Sequence, residues 1–214
     1  MKTKLVYLVA LAVALALPNI SFADYTGSSG DAGTFDVGTD FDSSIIVPVN
    51  EIITTVVVSV NIEHSWVGDV TGTITHVESG FAIDLIPTAL SDSSNLGSDS
   101  GGDVLSPAPY SWGDLGSETI GTAAGAIGGT DEIAPGLYLA SDGTATGAGS
   151  MTGTFAGDTT LGEWVLHLED SAGGDDGNVD GWEISFESTA IPEPSSMALI
   201  GVMGLACFMR RRRR

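Results

Sequence analysis

Between Asp24 and Ile191 the chain contains no lysine and no arginine. All 7 basic residues sit at the ends: Lys2 and Lys4, then Arg210, Arg211, Arg212, Arg213 and Arg214. Of the 28 acidic residues only Glu193 lies outside the basic-free interval, which therefore holds the other 27. Nucleic-acid binding by phosphate neutralisation is excluded, because it requires Lys and Arg. Electrostatic attraction of the body to anionic lipid is excluded for the same reason. Self-repulsion of this size favours a protein that works with bound cations or in high salt. Cysteine is nearly absent as well. A single Cys207 forbids an intramolecular disulfide and a Cys-based zinc site. The histidines are three and scattered, His64, His76 and His167. Neither His-Glu-x-x-His nor His-x-x-Glu-His occurs, so no zinc site is expected. No Gly-x-Ser-x-Gly elbow is present, so a triad written from His64, Asp69 and a serine has no supporting context. The chain reads as a non-enzyme.

Long apolar runs are confined to the two ends. At the N-terminus Lys2 and Lys4 precede Leu5–Leu17, and Ser21-Phe22-Ala23 supplies small residues where signal peptidase reads them. This is a signal peptide over 1–23, cleaved after Ala23, and the protein is exported. At the C-terminus Pro192-Glu193-Pro194 precedes an apolar stretch, Met197–Met209, and then the five arginines. Positive charge is retained on the cytoplasmic side, so a single transmembrane helix here stops transfer with the body outside. The stretch is short against the roughly 20 residues of an ordinary span; Ser195 and Ser196 extend it, and snorkelling arginines relax the requirement. The order of these three parts resembles the PEP-CTERM sorting signal of exopolysaccharide-producing Gram-negative bacteria, over 191–214. The resemblance implies an exosortase-type partner, an inner-membrane intermediate, removal of the tail and delivery to the cell surface or extracellular matrix.

The body has the period of strands. Residues 24–44 are rich in Gly, Ser and Asp and read as a spacer or a first strand. From 45 to 190 the pattern alternates. Val56, Val58, Val60 and Ile62 share a face; Thr71, Thr73 and Thr75 share another; Phe81, Ile83 and Leu85 alternate with Ala82 and Asp84. Leu137–Ala140 reads as a short strand. Trp164, Leu166 and Leu168 alternate with Val165 and His167, and Trp182, Ile184 and Phe186 with Glu183 and Ser185. Ser91–Gly102 and Ser141–Gly153 read as loops, and Asp103–Pro135 carries no assigned element. No apolar stripe of period 3.6 is visible. Short strands between Gly-rich turns indicate an all-β sandwich.

Two segments resemble the P domain (P/Homo B) of proprotein convertases and bacterial subtilisin-like proteases. The first is Val58–Val70, a strand ending in His64 and then Gly68-Asp69-Val70, where the family has Gly-Asp-Leu. The second is Gly162–Asp170 with Gly177–Ile184, matching Gly-x-Trp-x-Leu-x-Val-x-Asp, an acidic Gly-rich loop and a Trp-led closing strand. The resemblance implies a jelly-roll-like β-sandwich. It departs from the family at His76–Gly80, and no catalytic domain precedes the body in this sequence.

The acidic loop is the sharpest chemical signal. Asp176–Gly181 followed by Glu187 fits the EF-hand pattern D-x-[DN]-x-[DN]-G-x5-E, but the alternation after Gly181 is that of a strand, not of the required helix. Asp170, Asp175, Asp176, Asn178 and Asp180, with Asp69, are expected at one end of the sandwich. They supply the hard oxygens that Ca2+ takes in a geometry of its own. Asp, Asn and Gly are equally the residues of ordinary turns. His64 is expected to be structural, hydrogen-bonded across a turn. Trp164 and Trp182 follow the apolar parity and belong to the core. Trp66 and Trp112 lie near turns and are the candidates for glycan contact. Three roles compete: a structural or adhesive protein of an exopolysaccharide layer, a P-domain accessory to a secreted subtilisin-like protease, and a calcium-dependent glycan- or protein-binding module.

Overall fold

Alternating apolar residues put one face of each strand into a shared core, and the strands sort into two facing sheets. The computed structural model describes residues 22–88, 90, 93–97, 108–127, 131–175 and 177–191. The chain divides into a body, Ala23–Thr189, and a second unit of the two ends, 1–22 with 190–214. Of that second unit only Phe22, Ala190 and Ile191 are described. The C-terminal transmembrane helix expected from the sequence, Pro192, Glu193, Pro194 and the five arginines lie outside the described residues. Among the described residues no helix is long and apolar enough to cross a membrane.

Among the described residues there are eleven strands: β1 Phe22–Phe35, β2 Phe41–Val47, β3 Glu51–Glu63, β4 Val70–His76, β5 Phe81–Ile86, β6 Asn95–Leu96, β7 Tyr110–Trp112, β8 Glu132–Ile133, β9 Leu137–Tyr138, β10 Gly162–Asp170 and β11 Gly177–Ala190. One sheet has the order β1-β11-β3-β7-β9 and the other β2-β10-β4-β5, with β6 and β8 forming a small parallel pair. In the second sheet β10 is antiparallel to β2, with Trp164 opposite Ile45, and antiparallel to β4, with Trp164 opposite His76 and Asp170 opposite Val70. Period two then sends Trp164, Leu166 and Leu168 inward, where they meet Ile74, Val58 and Ile184 in one continuous core. In β11 Gly181 and Trp182 are consecutive buried residues. Gly181 has φ +100°, a left-handed value that glycine tolerates, and the extra residue resets the alternation so that Trp182, Ile184 and Phe186 face in.

The Gly/Ser-rich segment 24–44 is taken up by β1 and β2, and its composition has a packing cause. A Cβ added at Gly27 would lie 2.8 Å from Ile45, and one at Gly33 2.9 Å from Phe41. Between them Ser29 and Asp31 meet Ser43, whose hydroxyl donates to Asp31 at 2.7 Å and accepts from the Trp182 indole at 2.8 Å. Between Tyr25 and Phe35, which pack with the core, β1 thus lies so close to β2 that its inward positions are glycine, serine and aspartate. That is why it carries none of the apolar alternation that marks the other strands.

Among the described residues of the body, two short helices correct the expectation of a body without helix. They are α1, Ile120–Ile127, and α2, Met151–Phe155. Each is too short to show a period. α1 buries only Ile120, Gly121 and Ala124. α2 is fixed by its cap: Ser150 Oγ accepts from Gly153 N–H at 2.7 Å, and the distant Asp114 carboxylate accepts from Met151 N–H at 2.8 Å and Thr152 N–H at 3.0 Å. Burial pushes the Asp114 carboxyl up, but the Thr152 and Ser150 hydroxyls and these two N–H groups together hold it below the ordinary carboxylate value. β6, β7 and β8 add short strands where the sequence reads as loop or carries no assigned element.

Candidate functional site

Two strand ends bring the site together. β3 ends at Glu63, and the next residue, His64, is locked to Leu96 by a backbone pair, N–H to O at 2.7 Å and return at 2.8 Å. A 3₁₀ turn, Val67–Asp69, then carries the chain into β4. β10 ends at Asp170 opposite Val70, the first residue of β4. Asp170 therefore arrives beside His64, and the following loop brings Asp175 to the same place.

The Trp66 N–H donates to His64 Nδ1 at 3.0 Å, so that nitrogen carries no proton. Nε2 holds the ring proton and donates to Asp170 Oδ2 at 3.3 Å. The 3.9 Å approach of Nδ1 to Asp175 is then proximity rather than an ion pair, because Nδ1 already accepts from a backbone amide. Both His64 and Asp170 are buried, and the imidazole stacks on Phe35 with ring centroids 5.6 Å apart. Asp170 Oδ1 accepts from Ala172 N–H at 3.0 Å, and Asp175 accepts from the Ser65 hydroxyl at 2.6 Å. Asp69 sits among these groups. Desolvation, then the Asp175 and Asp170 carboxylates, push its carboxyl above the ordinary value, against a smaller opposing effect of His64.

The chemistry follows from the occupied lone pairs. A general base needs a ring nitrogen free to accept a nucleophile's proton. Neither nitrogen of His64 is free, and the adjacent Ser65 hydroxyl points to Asp175. The group is a buried polar clamp that ties the end of β3 to the end of β10, as the structural reading of His64 expects.

Of the six residues proposed to bind Ca2+, Asp69, Asp170 and Asp175 converge here. Asn178 and Asp180 lie on the exposed face of β11, and Asp176 lies outside the described residues. Among the described residues no three His, Cys, Asp or Glu side chains are arranged to hold a metal ion; both oxygens of Asp170 and Oδ2 of Asp175 are turned to protein donors. The helix that an EF-hand needs after Gly181 is absent, since β11 runs unbroken from Gly177 to Ala190. Trp112 needs correction. It stands opposite Val58 in β7 and is 1% exposed, so its ring is core and offers nothing to a glycan. Trp66 is 43% exposed. Ala23 lies at the start of β1.

A second cluster was not singled out from the sequence. His76, at the far end of β4, is fully buried and stacks on Trp164, centroids 4.4 Å apart. Its Nε2 faces the Leu161 carbonyl at 3.1 Å, which can only accept, and its Nδ1 faces the Asp158 carboxylate at 2.9 Å. Both nitrogens are thus engaged by the fold, and Glu78 lies 3.4 Å from Nε2. Burial raises the Asp158 carboxyl, but the Ser79 hydroxyl, the Thr159 N–H and His76 outweigh it and hold it below the ordinary value. The register Trp164–His76 was the available signal, and register is invisible in a single strand.

The fold is all-β and sheet-rich, and the C-terminus carries an address. Residues 190–214 match the PEP-CTERM protein-sorting motif, which indicates export and membrane-anchored sorting in Gram-negative-type cells and recognition by an exosortase-type enzyme. Comparison with curated proteins gives no match. Among solved structures, the chain is similar to the serine protease of Aeromonas sobria in complex with its chaperone: 15% identity, TM-score 0.47, over 85% of this chain and 30% of that one. It is similar to the same protease alone, with 15% identity and TM-score 0.46 over 84% and 29%. It is also similar to FlhE, with 9% identity and TM-score 0.41 over 79% and 99%. The chain spans about 30% of the length of the Aeromonas protease.

Proposed function

We propose that this is a non-catalytic, jelly-roll-like β-sandwich that an exosortase-type enzyme sorts to the cell surface or extracellular matrix, where it is a structural or adhesive component of an exopolysaccharide layer. The observation that carries the reading is the sorting motif at 190–214 joined to a body whose two buried histidines have both ring nitrogens engaged by the fold. The test is fractionation of producing cells with intact-mass measurement. The expected species begins at Asp24, lacks Arg210–Arg214 and stays with the matrix polysaccharide through washing. A processed species that washes free of polysaccharide and co-purifies with a secreted protease would replace this role with the accessory one.

Calcium enters as a second reading. What favours it is the convergence of Asp69, Asp170 and Asp175, with Asp69 pushed up by its neighbours. A divalent cation at that end relieves like-charge repulsion, and Trp66 is the exposed ring beside it.

A further inference from the structure

Resting on the adhesive role just proposed, we infer that the cavity between β5 and the segment 141–154 holds one unit of a neutral polysaccharide, with the Asp84 carboxylate as its main acceptor.

The cavity is made by a loop laid on a sheet edge. β5 is the outermost strand of its sheet. The Ser141 N–H donates to the Asp84 carbonyl at 2.7 Å, so the chain after Ala140 runs beside that edge. It turns at Gly143, where φ is +91°. Gly149 then passes so close to Ser141 that a Cβ there would lie 2.4 Å from the Ser141 carbonyl oxygen. α2 begins two residues later and contributes Thr154 to the wall. The space left is about 280 Å³ and opens to solvent. Pockets that take a whole drug-sized molecule run from roughly 300 to 1,000 Å³, so this one suits a single ring.

Its chemistry selects the ring. The lining joins the apolar Ala82 and Ile83 to Asp84. Asp84 Oδ1 accepts from the Thr73 hydroxyl at 3.3 Å, whereas Oδ2, on the Gly143 side, meets no donor among the described residues. A sugar ring answers both features, with hydroxyl donors on its edge and C–H groups on its face. An anionic sugar is repelled, because no lysine or arginine lies between Asp24 and Ile191 and like charges brought together are costly. A bare cation fits less well. Among the described residues no three acidic, His or Cys side chains are arranged to hold one, and Asp142 Oδ1 is turned onto its own loop, accepting from the Thr144 N–H and hydroxyl.

A track leads away from the cavity for the rest of the polymer. Asp84, Thr73, His167 and Asp42 are register partners on the four adjacent strands β5, β4, β10 and β2. At the ordinary spacing of strands this row extends about 14 Å across the outer face of the sheet. His167 Nδ1 faces the Asp42 carboxylate at 2.9 Å, an acceptor, so Nε2 is left to solvent. The row offers hydrogen-bonding groups and no lysine or arginine, which is the same preference as the cavity.

The experiment uses the isotope-labelled full chain in a sugar-free detergent. It is titrated with the methyl glycosides of glucose, galactose and mannose, and separately with glucuronate and with calcium chloride. We expect at least one neutral glycoside to shift the amide NMR signals of Asp84, Gly143 and Gly149, while glucuronate and calcium leave them in place. Asp84→Asn keeps the side-chain shape and should weaken that binding about tenfold, the size of a lost hydrogen bond to a charged group, with the melting temperature unchanged. No shift with any of the three glycosides overturns the subsite, and so does an equal shift with glucuronate. Shifts with calcium alone make the cavity a cation site and overturn the sugar. Binding lost in Trp66→Ala but kept in Asp84→Asn moves the sugar to Trp66 and overturns the assignment. Retention by the matrix is read separately. A wild-type chain that stays with the matrix without cavity shifts loses this subsite alone, whereas cavity shifts in a chain that washes free refute the matrix role and leave the subsite.

Discussion

Asp69 is a carboxylate whose charge the fold disfavours. Burial and the Asp175 and Asp170 carboxylates raise it above its ordinary value of 3.8. A group whose folded value is raised stabilises most below its unfolded value, and that contribution is lost as pH rises through the folded one. At neutral pH the Asp69 charge is therefore a cost, and Asp69→Asn should recover it. Asp69 is only partly buried, so solvent screens the repulsion to the size of a surface pair, about 0.2–1 kcal/mol. For a body of this size 1 kcal/mol moves the melting temperature by about 2–4 °C. The assay is thermal unfolding of the full chain in detergent, followed by tryptophan fluorescence. It is run at pH 7 in EDTA, in calcium, and in sodium chloride of equal ionic strength. In EDTA the variant should melt above wild type by up to about 4 °C. The gain should shrink as pH falls and vanish below 3.8, where both side chains are neutral. If calcium engages this end, wild type rises more in calcium than in matched sodium chloride, by mass action, and Asp69→Asn removes the difference. An Asp69→Asn chain that melts lower than wild type at pH 7 in EDTA would refute the reasoning, because the carboxylate would then be making a favourable contact.

Two other substitutions probe how the fold is held. Asp114→Ala removes the remote cap of α2, leaving Met151 and Thr152 N–H without their acceptor. Chemical denaturation should show a loss of about 1 kcal/mol at neutral pH; because the Asp114 value is depressed, the deficit should disappear as pH falls through its folded value. Gly27→Val forces a side chain into the 2.8 Å gap before Ile45, and denaturation should show a loss of about 1–3 kcal/mol from overpacking, whereas Thr26→Val at the exposed neighbour should be near neutral.

Strands with a two-residue apolar period were legible because one face of each is buried: β3, β4, β5, β10 and the Trp182–Phe186 part of β11. β1 was ambiguous for the opposite reason. Its inward face is defined by the absence of side chains at Gly27 and Gly33, and glycine in a sequence marks a loop as readily as a close approach. The helices were missed because two turns do not establish a period, and the cap of α2 lies 36 residues away in Asp114. At the site, His64 as a turn-spanning strand end was readable from its parity with Val60 and Ile62. Its partner Asp170 was named for a different chemistry, and only the β4–β10 register unites them. Trp112 was misread because β7 has three residues, too few to reveal which face is inward.

The missing lysines and arginines explain much of the remaining composition. A carboxylate at the edge of a core needs donors, and in this body the carboxylates find them in hydroxyls, backbone amides and three histidines. Ser43 serves Asp31, Thr144 serves Asp142, Ser150 serves Asp114, and Ser79 with His76 serves Asp158. Hydrogen bonds to the ionised form favour it, which is why all four carboxyls are held below the ordinary value. Neutral donors satisfy a carboxylate without cancelling its charge. The hydroxyls therefore favour the ionised form of these four carboxyls without adding a positive charge. Asp69, crowded by Asp170 and Asp175, is held above the ordinary value, and the His64 end is accordingly a place where a cation from solution would relieve repulsion.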